Sequence, residues 1–391
     1  MLHCVSVFTY EIDDPERALK EIREQLEEKI TFLEHSVGII LCHPEFIESG
    51  VVKHLSENLP FECVGMTTSS QAVNGGVGEL ILTLFVMTSS DVHFRTGVTA
   101  DVDDGIDGPV HDAFTIASAG TTETPKLVIT FPPLLLQYAG DAYIYAWEKV
   151  LPGVPVFGSI AIDDTLTFDT SETIYNGVNY KSAVSFVLCY GNINPRFLVG
   201  TLPEENVLPY KGEVTKATGP FVQEINNMNA YTYFESIGFA NNGTLAESYL
   251  FMPFVIDQKK RDDYDGIPVV RGHVSFTDDG TAIFRGDVYE GSTFSLLTCT
   301  PEGVLSTTRQ AIEHINTLPD INGVLIFPCI VRRLLTQRVH PVIELETAKD
   351  AIDPSIPFMA GYSGGEICPT SFKESGPANR FHNYSLVILI V

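Results

Sequence analysis

The stretch that decides the fold is residues 357–367, PFMAGYSGGEI, because weaker versions of it occur twice upstream. The first is residues 60–70, PFECVGMTTSS, and the second is residues 155–161, PVFGSIA. In each version a proline and a few mostly apolar residues lead to a glycine, and small or polar residues follow. Self-similarity of this kind indicates duplicated supersecondary units.

The segments around each version also follow a common order. An apolar run that ends near a proline comes first, then a segment of helical length, then the glycine turn, then a second apolar run. The repeated unit therefore predicts strand, helix, strand, tight glycine turn and strand. We expect Gly65, Gly158 and Gly361 to occupy equivalent turns.

The length and composition set the domain organisation. With 391 residues, 44% hydrophobic and 19% charged, the chain is expected to fold as two domains or two fused halves. We predict an α/β (α+β) protein of two related halves built from the duplicated units. Stacked sheets flanked by helices are favoured, because long apolar strands need cover on both faces.

The boundaries follow from the repeats and from turn-forming residues. The N-terminal module is predicted over residues 1–205, with copies of the repeat at about 37–92 and 127–198. The C-terminal module is predicted over 213–391, with a copy at about 323–391. Residues 202–212 carry prolines, a glycine and charges and form the candidate linker. Residues 219–238 have the length and pattern of a helix, and residues 269–288 predict a hairpin around the turn TDDG.

The charge and the apolar runs exclude several classes of protein. The net charge is −26, from 24 basic and 50 acidic residues, so the basic footprint of a nucleic-acid binder is missing. The longest apolar runs are strand-sized, well below the ~20 residues of a spanning helix. The seven cysteines form no CxxC pair, and the N-terminus has no signal-peptide pattern. We therefore expect a cytoplasmic protein with reduced cysteines, no membrane insertion and no nucleic-acid partner.

The last third of the chain carries a set of residues that resembles the C-terminal part of the FIST family. The matching residues are Phe327, Pro328, Cys329, Arg332, Glu344, Pro357, Gly361, Tyr362, Gly364, Gly365, Glu366, Ile367, Pro369, His382 and Asn383. The N-terminal half is similar to the family's N-terminal module, but Ser70 and Gln71 stand where that module usually has Gly-Glu. Together the two modules account for nearly all of residues 30–391.

The resemblance implies a sensory domain for small ligands in signal transduction, with amino acids suggested for the family as a whole. Because no output domain is recognised in the chain, it also implies a separate signalling protein as partner. Some members resemble haem-binding nitric-oxide sensors, so a haem-binding gas sensor stays open. In that case His43 is the candidate axial ligand, since a haem needs only one axial histidine. No other cofactor and no metal is expected.

The candidate site gathers residues with complementary chemistry. Arg332 suits a carboxylate, the amides of the glycine turn suit its second oxygen, and Glu366 suits an ammonium, which together favour an amino-acid-like zwitterion. The full set of candidate ligand-binding residues is Thr67, Thr68, Cys329, Arg332, Tyr362, Gly364, Gly365, Glu366, His382 and Asn383.

Two other classes of function remain open. Cys329 at a strand end, with His382 as a base, or Glu366 could serve an enzyme. The chain has no HExxH, GxSxG, GxGxxG or P-loop motif, so we expect no catalysis of those common kinds. A protein–protein interaction scaffold would instead expose an apolar patch.

Overall fold

The computed structural model describes residues 1–165, 167–201, 204–241, 244–245, 252–258, 265–337, 339–373 and 376–391. In these ranges the chain is a mixed α/β protein in which one unit of strands and helices occurs three times. The elements of the first repeat are β1 (Leu2–Thr9), α1 (Pro15–Lys29), β2 (His35–Cys42), α2 (Glu45–Glu48), α3 (Val51–Asn58), β3 (Glu62–Thr67), β4 (Gln71–Val73), β5 (Gly76–Gly78) and β6 (Leu82–Ser89).

The second repeat has the same order of elements, except that the single helix α5 stands where the first repeat has α2 and α3. They are β7 (Val92–Val98), α4 (Asp107–Ala117), β8 (Leu127–Phe131), α5 (Asp141–Val150), β9 (Val156–Ser159), β10 (Thr173–Tyr175), β11 (Val178–Tyr180) and β12 (Ser185–Gly191).

The third repeat is interrupted by an inserted sheet after its first strand, β13 (Arg196–Gly200). The inserted elements are β14 (Val207–Thr218), β15 (Phe221–Ile225), β16 (Met228–Asn229), α6 (Ala230–Ser236), β17 (Ala240–Asn241), β18 (Thr244–Leu245), β19 (Phe254–Asp257), β20 (Val269–Arg271), β21 (His273–Phe276), β22 (Ala282–Phe284) and β23 (Thr293–Leu297). The repeat then continues with α7 (Pro301–Ile315), β24 (Val324–Pro328), α8 (Ile330–Thr336), α9 (Ile343–Ala351), β25 (Phe358–Gly361), β26 (Glu366–Lys373), β27 (Gly376–His382) and β28 (Leu386–Ile390).

Each repeat builds a six-stranded sheet that is completed by a hairpin from another repeat. The first sheet has the order β1-β6-β2-β3-β10-β11, so it receives the hairpin of the second repeat. The second sheet, β27-β26-β9-β8-β12-β7, receives the hairpin of the third, and the third, β13-β28-β24-β25-β4-β5, receives that of the first. The three hairpins therefore close a cycle with approximate threefold symmetry.

The cores follow from this cycle. The inner faces of the three sheets share one apolar core, to which Ile39, Phe131 and Phe327 each contribute from a different repeat. The outer faces are covered by the helices of the same repeat, α1 and α3 on the first sheet, α4 and α5 on the second, α7 and α9 on the third. The predicted arrangement of sheets flanked by helices is confirmed, with three sheets around a common core.

The glycines of the repeat lie in strands rather than turns. Gly65 of β3 stands opposite Ile40, and Gly158 of β9 stands opposite Thr130, at the same register. The third repeat has Ala360 at that register, and Gly361 comes one residue later. The predicted equivalence is therefore right for the first two glycines and wrong by one residue for Gly361. Glycine at position 361 gives room to Leu41, because a Cβ there would lie 2.7 Å from a methyl carbon of that side chain and would force it to shift.

Two further predictions need correction in the second half. Residues 207–212 of the predicted linker begin the long strand β14, while Leu202 and Pro203 lie outside the described residues. The helix predicted over residues 219–238 forms only over Ala230–Ser236, since Phe221–Ile225 pairs as a strand. The predicted hairpin is confirmed as β21 paired with β22.

Each described helix falls short of the length and apolarity that a bilayer crossing requires.

Candidate functional site

A cavity of about 330 Å³ lies between the second and third repeats and the inserted sheet. We call it the interrepeat cavity. It is lined by Leu134, Asp163, Asp164, Thr165, Phe168, Gly272, Arg285, Cys329, Ile330, Val331, Arg333, Leu334, Gln337, Gly364, Asn383 and Tyr384. Three of the predicted site residues, Cys329, Gly364 and Asn383, therefore share one cavity wall. The position of the cavity between repeats is typical of small-molecule sites.

The turn after β25 is held by its own backbone. The amide of Ser363 donates to the carbonyl of Pro328 at 2.8 Å, and the amide of Gly364 donates to the carbonyl of Ile160 at 3.0 Å. The amide of Gly365 donates to Oγ of Ser363 at 3.1 Å. Since these amides already have protein acceptors, the structure does not support the prediction that they hold a ligand anion.

The two glycines serve close packing. A Cβ at position 364 would lie 2.6 Å from a methyl carbon of Ile162, and a Cβ at position 365 would lie 2.2 Å from the ring of Phe381. Neither residue has a left-handed backbone. The Gly-Gly pair thus lets the second and third repeats approach each other at the cavity wall.

Glu366 and Cys329 form a buried pair behind that wall. Glu366 is fully buried, and its Oε2 accepts a hydrogen bond from Oγ of Ser385 at 3.4 Å. Burial raises the pKa of the Glu366 carboxyl well above its ordinary range, although Cys329 and Arg332 oppose this shift. Burial, with a smaller contribution from the Glu366 charge, also raises the pKa of the Cys329 thiol.

The raised pKa values of Cys329 and Glu366 bear on their predicted roles as a nucleophile and as a partner for a ligand ammonium. A protonated thiol is a poor nucleophile, so the enzyme that would use Cys329 gains no support from its surroundings. Burial favours the uncharged form of the Glu366 carboxyl, and the side chain has no exposed surface. The position of Glu366 therefore gives no support to the predicted contact with a ligand ammonium.

Arg332 is engaged in a structural network. It is fully buried, and its Nε lies 2.8 Å from Oε1 of Glu344. Its Nη2 donates to the carbonyl of Val304 and its Nη1 to the carbonyl of Tyr384, at 3.1 and 3.2 Å. These contacts join α8 to α7, to α9 and to the turn before β28. Arg332 does not line the interrepeat cavity among the described residues, so its predicted contact with a carboxylate is not supported by its position.

Arg333, and not Arg332, lies at the wall of the interrepeat cavity. It lines the cavity, is nine-tenths buried, and forms an ion pair with Glu79 of the first repeat. Helical spacing could have revealed this, because Ile330 and Gln337, three residues before and four residues after Arg333, line the same wall. Arg332 lies on the side of α8 that faces α7 and α9, where it contacts Val304 and Glu344.

The remaining predicted residues hold the fold around the cavity. The ring of His382 is buried, with Nε2 3.0 Å from the carbonyl oxygen of Cys368, and burial lowers its pKa to about 4. Oδ1 of Asn383 lies 3.5 Å from the amide of Gly272, which links the cavity wall to the inserted sheet. The hydroxyl of Tyr362 is buried with the rest of its side chain.

Thr67 and Thr68 lie in the corresponding turn of the first repeat. Thr68 donates its hydroxyl to the carbonyl of Tyr362 at 2.7 Å, and Thr67 donates to the carbonyl of Glu172. Both side chains are fully buried. These two threonines therefore join the first repeat to the other two, away from the interrepeat cavity.

Two histidines, His43 and His382, bear on haem binding. Nε2 of His43 lies 3.2 Å from Oδ1 of Asp164, and Nε2 of His382 faces the carbonyl of Cys368. Neither histidine lines the cavity among the described residues, and neither leaves Nε2 open to it. These residues do not fit a haem with a histidine ligand.

Two aromatic residues of the cavity carry unusual backbones that the sequence did not signal. Phe168 and Tyr384 have φ angles of 55° and 60°, in the left-handed region that bulky side chains avoid. Both line the cavity. Strained backbones of this kind cluster at ligand sites, where the surrounding structure holds them in place.

The comparison with known families agrees with this architecture. A family model described as the FIST N domain matches residues 36–228, and one described as the FIST C domain matches residues 230–369. No curated protein shows significant sequence similarity to the chain. FIST domains are associated with sensory signal-transduction proteins that bind small ligands. Since the two matches cover most of its length, the chain belongs to the FIST family.

Proposed function

We propose that the chain is a cytoplasmic sensory protein whose interrepeat cavity binds a small acid, an amino acid or a related compound, and that it passes the signal to a separate protein. The interrepeat cavity is the observation that carries this proposal. Its walls combine the predicted residues Cys329, Gly364 and Asn383 with the buried cation of Arg333. A cation in the wall matters because the protein as a whole has a net charge of −26, which disfavours anions elsewhere.

The walls also supply a route by which binding could be sensed. The loop that contains Asp163 and Phe168 belongs to the second repeat, α8 belongs to the third, and Arg285 belongs to the inserted sheet. Arg333 extends this set to the first repeat through Glu79. A ligand in the cavity would therefore contact or influence every part of the fold, and a change in their relative positions is the proposed signal.

A thermal-shift screen tests the proposal. The purified protein is screened against the amino acids and against small mono- and dicarboxylic acids. A ligand at 100 times its dissociation constant should add about 2.7 kcal/mol to the free energy of unfolding. Arg333→Ala should abolish the shift, and Arg309→Ala should not, because Arg309 lies on the exposed face of α7 and pairs with Glu302. The absence of any shift across the whole screen would rule the proposal out.

A further inference from the structure

We propose that the ligand of the interrepeat cavity is an apolar monocarboxylate, with Arg333 binding its carboxylate and the side chains of Leu134, Phe168 and Leu334 holding its apolar body. This inference rests on the proposed function and names the class of ligand within it. It also distinguishes that ligand from the zwitterionic amino acids.

The anion anchor follows from the state of Arg333. Its side chain lines the cavity and pairs with Glu79 through Nη2, while its Nε is buried without a hydrogen-bond partner among the described residues. A buried donor without an acceptor costs free energy. A carboxylate at this part of the wall would supply the acceptor once the guanidinium turns to present Nε, and hydrogen bonds between a guanidinium and a carboxylate are strong.

The acidic groups near the cavity are already engaged. The two carboxylate oxygens of Asp163 accept hydrogen bonds from the amides and hydroxyls of Thr165 and Thr170, at 2.6 to 2.8 Å. Asp164 has its Oδ1 3.2 Å from Nε2 of His43. Glu366 is fully buried behind the wall. The side chain of Asp164 is half exposed, so a ligand ammonium would gain at most a solvent-screened contact there, which repays little of the cost of losing its hydration.

The rest of the wall suits an apolar group. Leu134, Phe168, Ile330 and Leu334 contribute apolar side chains from two repeats. Phe168 has a left-handed backbone, and its amide donates to Oγ1 of Thr165, which in turn donates to Asp163. Asp163 also accepts from the amide of Thr170, so these bonds hold the loop on both sides of Phe168. The volume of about 330 Å³ lies at the lower end of the range for small-molecule sites. A compact branched or aromatic acid fits these features.

Isothermal titration with four matched probes tests the inference. The probes are 4-methyl-2-oxopentanoate, 4-methylpentanoate, 4-methylpentanamide and leucine. All four have the same branched apolar body. We expect both monocarboxylates to bind. The amide, which lacks the negative charge, should bind at least about tenfold more weakly, the loss expected for a charged hydrogen bond. Leucine should also bind at least about tenfold more weakly, because its ammonium must be desolvated.

Variants of Arg333 test the anchor. Arg333→Gln should weaken both monocarboxylates by about ten- to a hundredfold, whereas Arg309→Gln should leave their affinities unchanged. Arg333→Lys should retain part of the affinity, because it keeps the charge but loses the planar fork. The comparison of the four probes uses the unaltered protein, so it does not depend on the folding of any variant.

The outcomes separate this inference from the proposed function. If leucine or another amino acid binds as tightly as the monocarboxylates, the inference is overturned and the proposed function stands. If the monocarboxylates bind equally well to folded Arg333→Gln, the anchor is misassigned and the inference is overturned. If no acid of any kind binds, the proposed function itself is overturned.

Discussion

The Nε atom of Arg332 lies 2.8 Å from Oε1 of Glu344, and both side chains are closed to solvent. Arg333, the next residue, lines the interrepeat cavity instead. The helix α8 therefore presents Arg332 to α7 and α9 and presents Arg333 to the cavity. The ion pair of Arg332 secures the helix that forms the cavity wall.

We expect Arg332→Ala to lower the free energy of unfolding by about 3–5 kcal/mol, because it leaves the charge of Glu344 buried without its partner. Urea unfolding of the unliganded protein measures this loss. Arg309→Ala, which breaks the exposed pair with Glu302, should cost no more than about 1 kcal/mol. The double replacement Arg332→Met with Glu344→Leu should recover much of the loss, since a well-packed apolar pair can replace a buried ion pair. An unchanged stability of Arg332→Ala would contradict the structural role.

The sequence predicts the repeat but not the way in which the repeats are joined. Apolar runs, prolines and glycines are local signals, and they located the strands of all three units. The pairing of β4 with β25 joins Gln71 to Gly361, which are far apart in the chain. No local pattern specifies such a partner, so the threefold cycle of hairpins emerged only from the structure.

The sequence pointed to residues of one cavity wall but not to the contacts that the predicted residues make. Motif resemblance identified Cys329, Gly364 and Asn383, which share the cavity wall. Resemblance alone could not show that Arg332 is used inside the fold, because burial of a charge depends on the partner, here Glu344 in another helix. The loop of Phe168 had no motif at all, and its place at the cavity follows from the packing of the second repeat on the third.

Replacing glycine by alanine should have opposite effects on stability at position 65 in the first repeat and at position 108 in the second. A Cβ at position 65 would lie 1.9 Å from the carbonyl oxygen of Ile40, and main-chain atoms in the middle of a sheet cannot yield. Gly65→Ala should therefore cost about 3 kcal/mol or more, at the upper end of the losses from overpacking. Gly108 in α4 has open space around it, so Gly108→Ala should be neutral or should stabilise by up to about 1 kcal/mol. Chemical denaturation of both variants decides the matter, and equal effects would show that the register of β3 is misassigned.

His382 should make the stability of the protein increase with pH over an acidic range. Burial lowers its pKa to about 4 in the fold, below the ordinary value of 6.5. Between these values the unfolded chain binds more protons than the folded protein, so stability is lost as the pH falls from 6.5 towards 4. The difference in unfolding free energy between the parent protein and His382→Gln should grow by on the order of 3 kcal/mol from pH 4 to 6.5. A difference that does not vary with pH would show that His382 titrates alike in both states.

Glu366 should make the stability of the protein decrease as the pH rises, the reverse of the effect of His382. Burial raises the pKa of its carboxyl well above the ordinary value of 4.5. Above pH 4.5 the unfolded chain therefore releases a proton that the folded protein keeps, and the stability that this group contributes at low pH is lost as the pH rises.

Glu366→Gln removes the titration but keeps the shape, and the first repeat already has an amide, Gln71, at the equivalent position. The advantage of Glu366→Gln over the parent should grow by about 1.4 kcal/mol per pH unit above pH 4.5 while the folded carboxyl stays protonated. Urea unfolding at four values from pH 5 to 8 measures the slope. A slope of zero would mean that the carboxyl ionises inside the fold, and Glu366 would then regain its place as a candidate partner for a ligand ammonium.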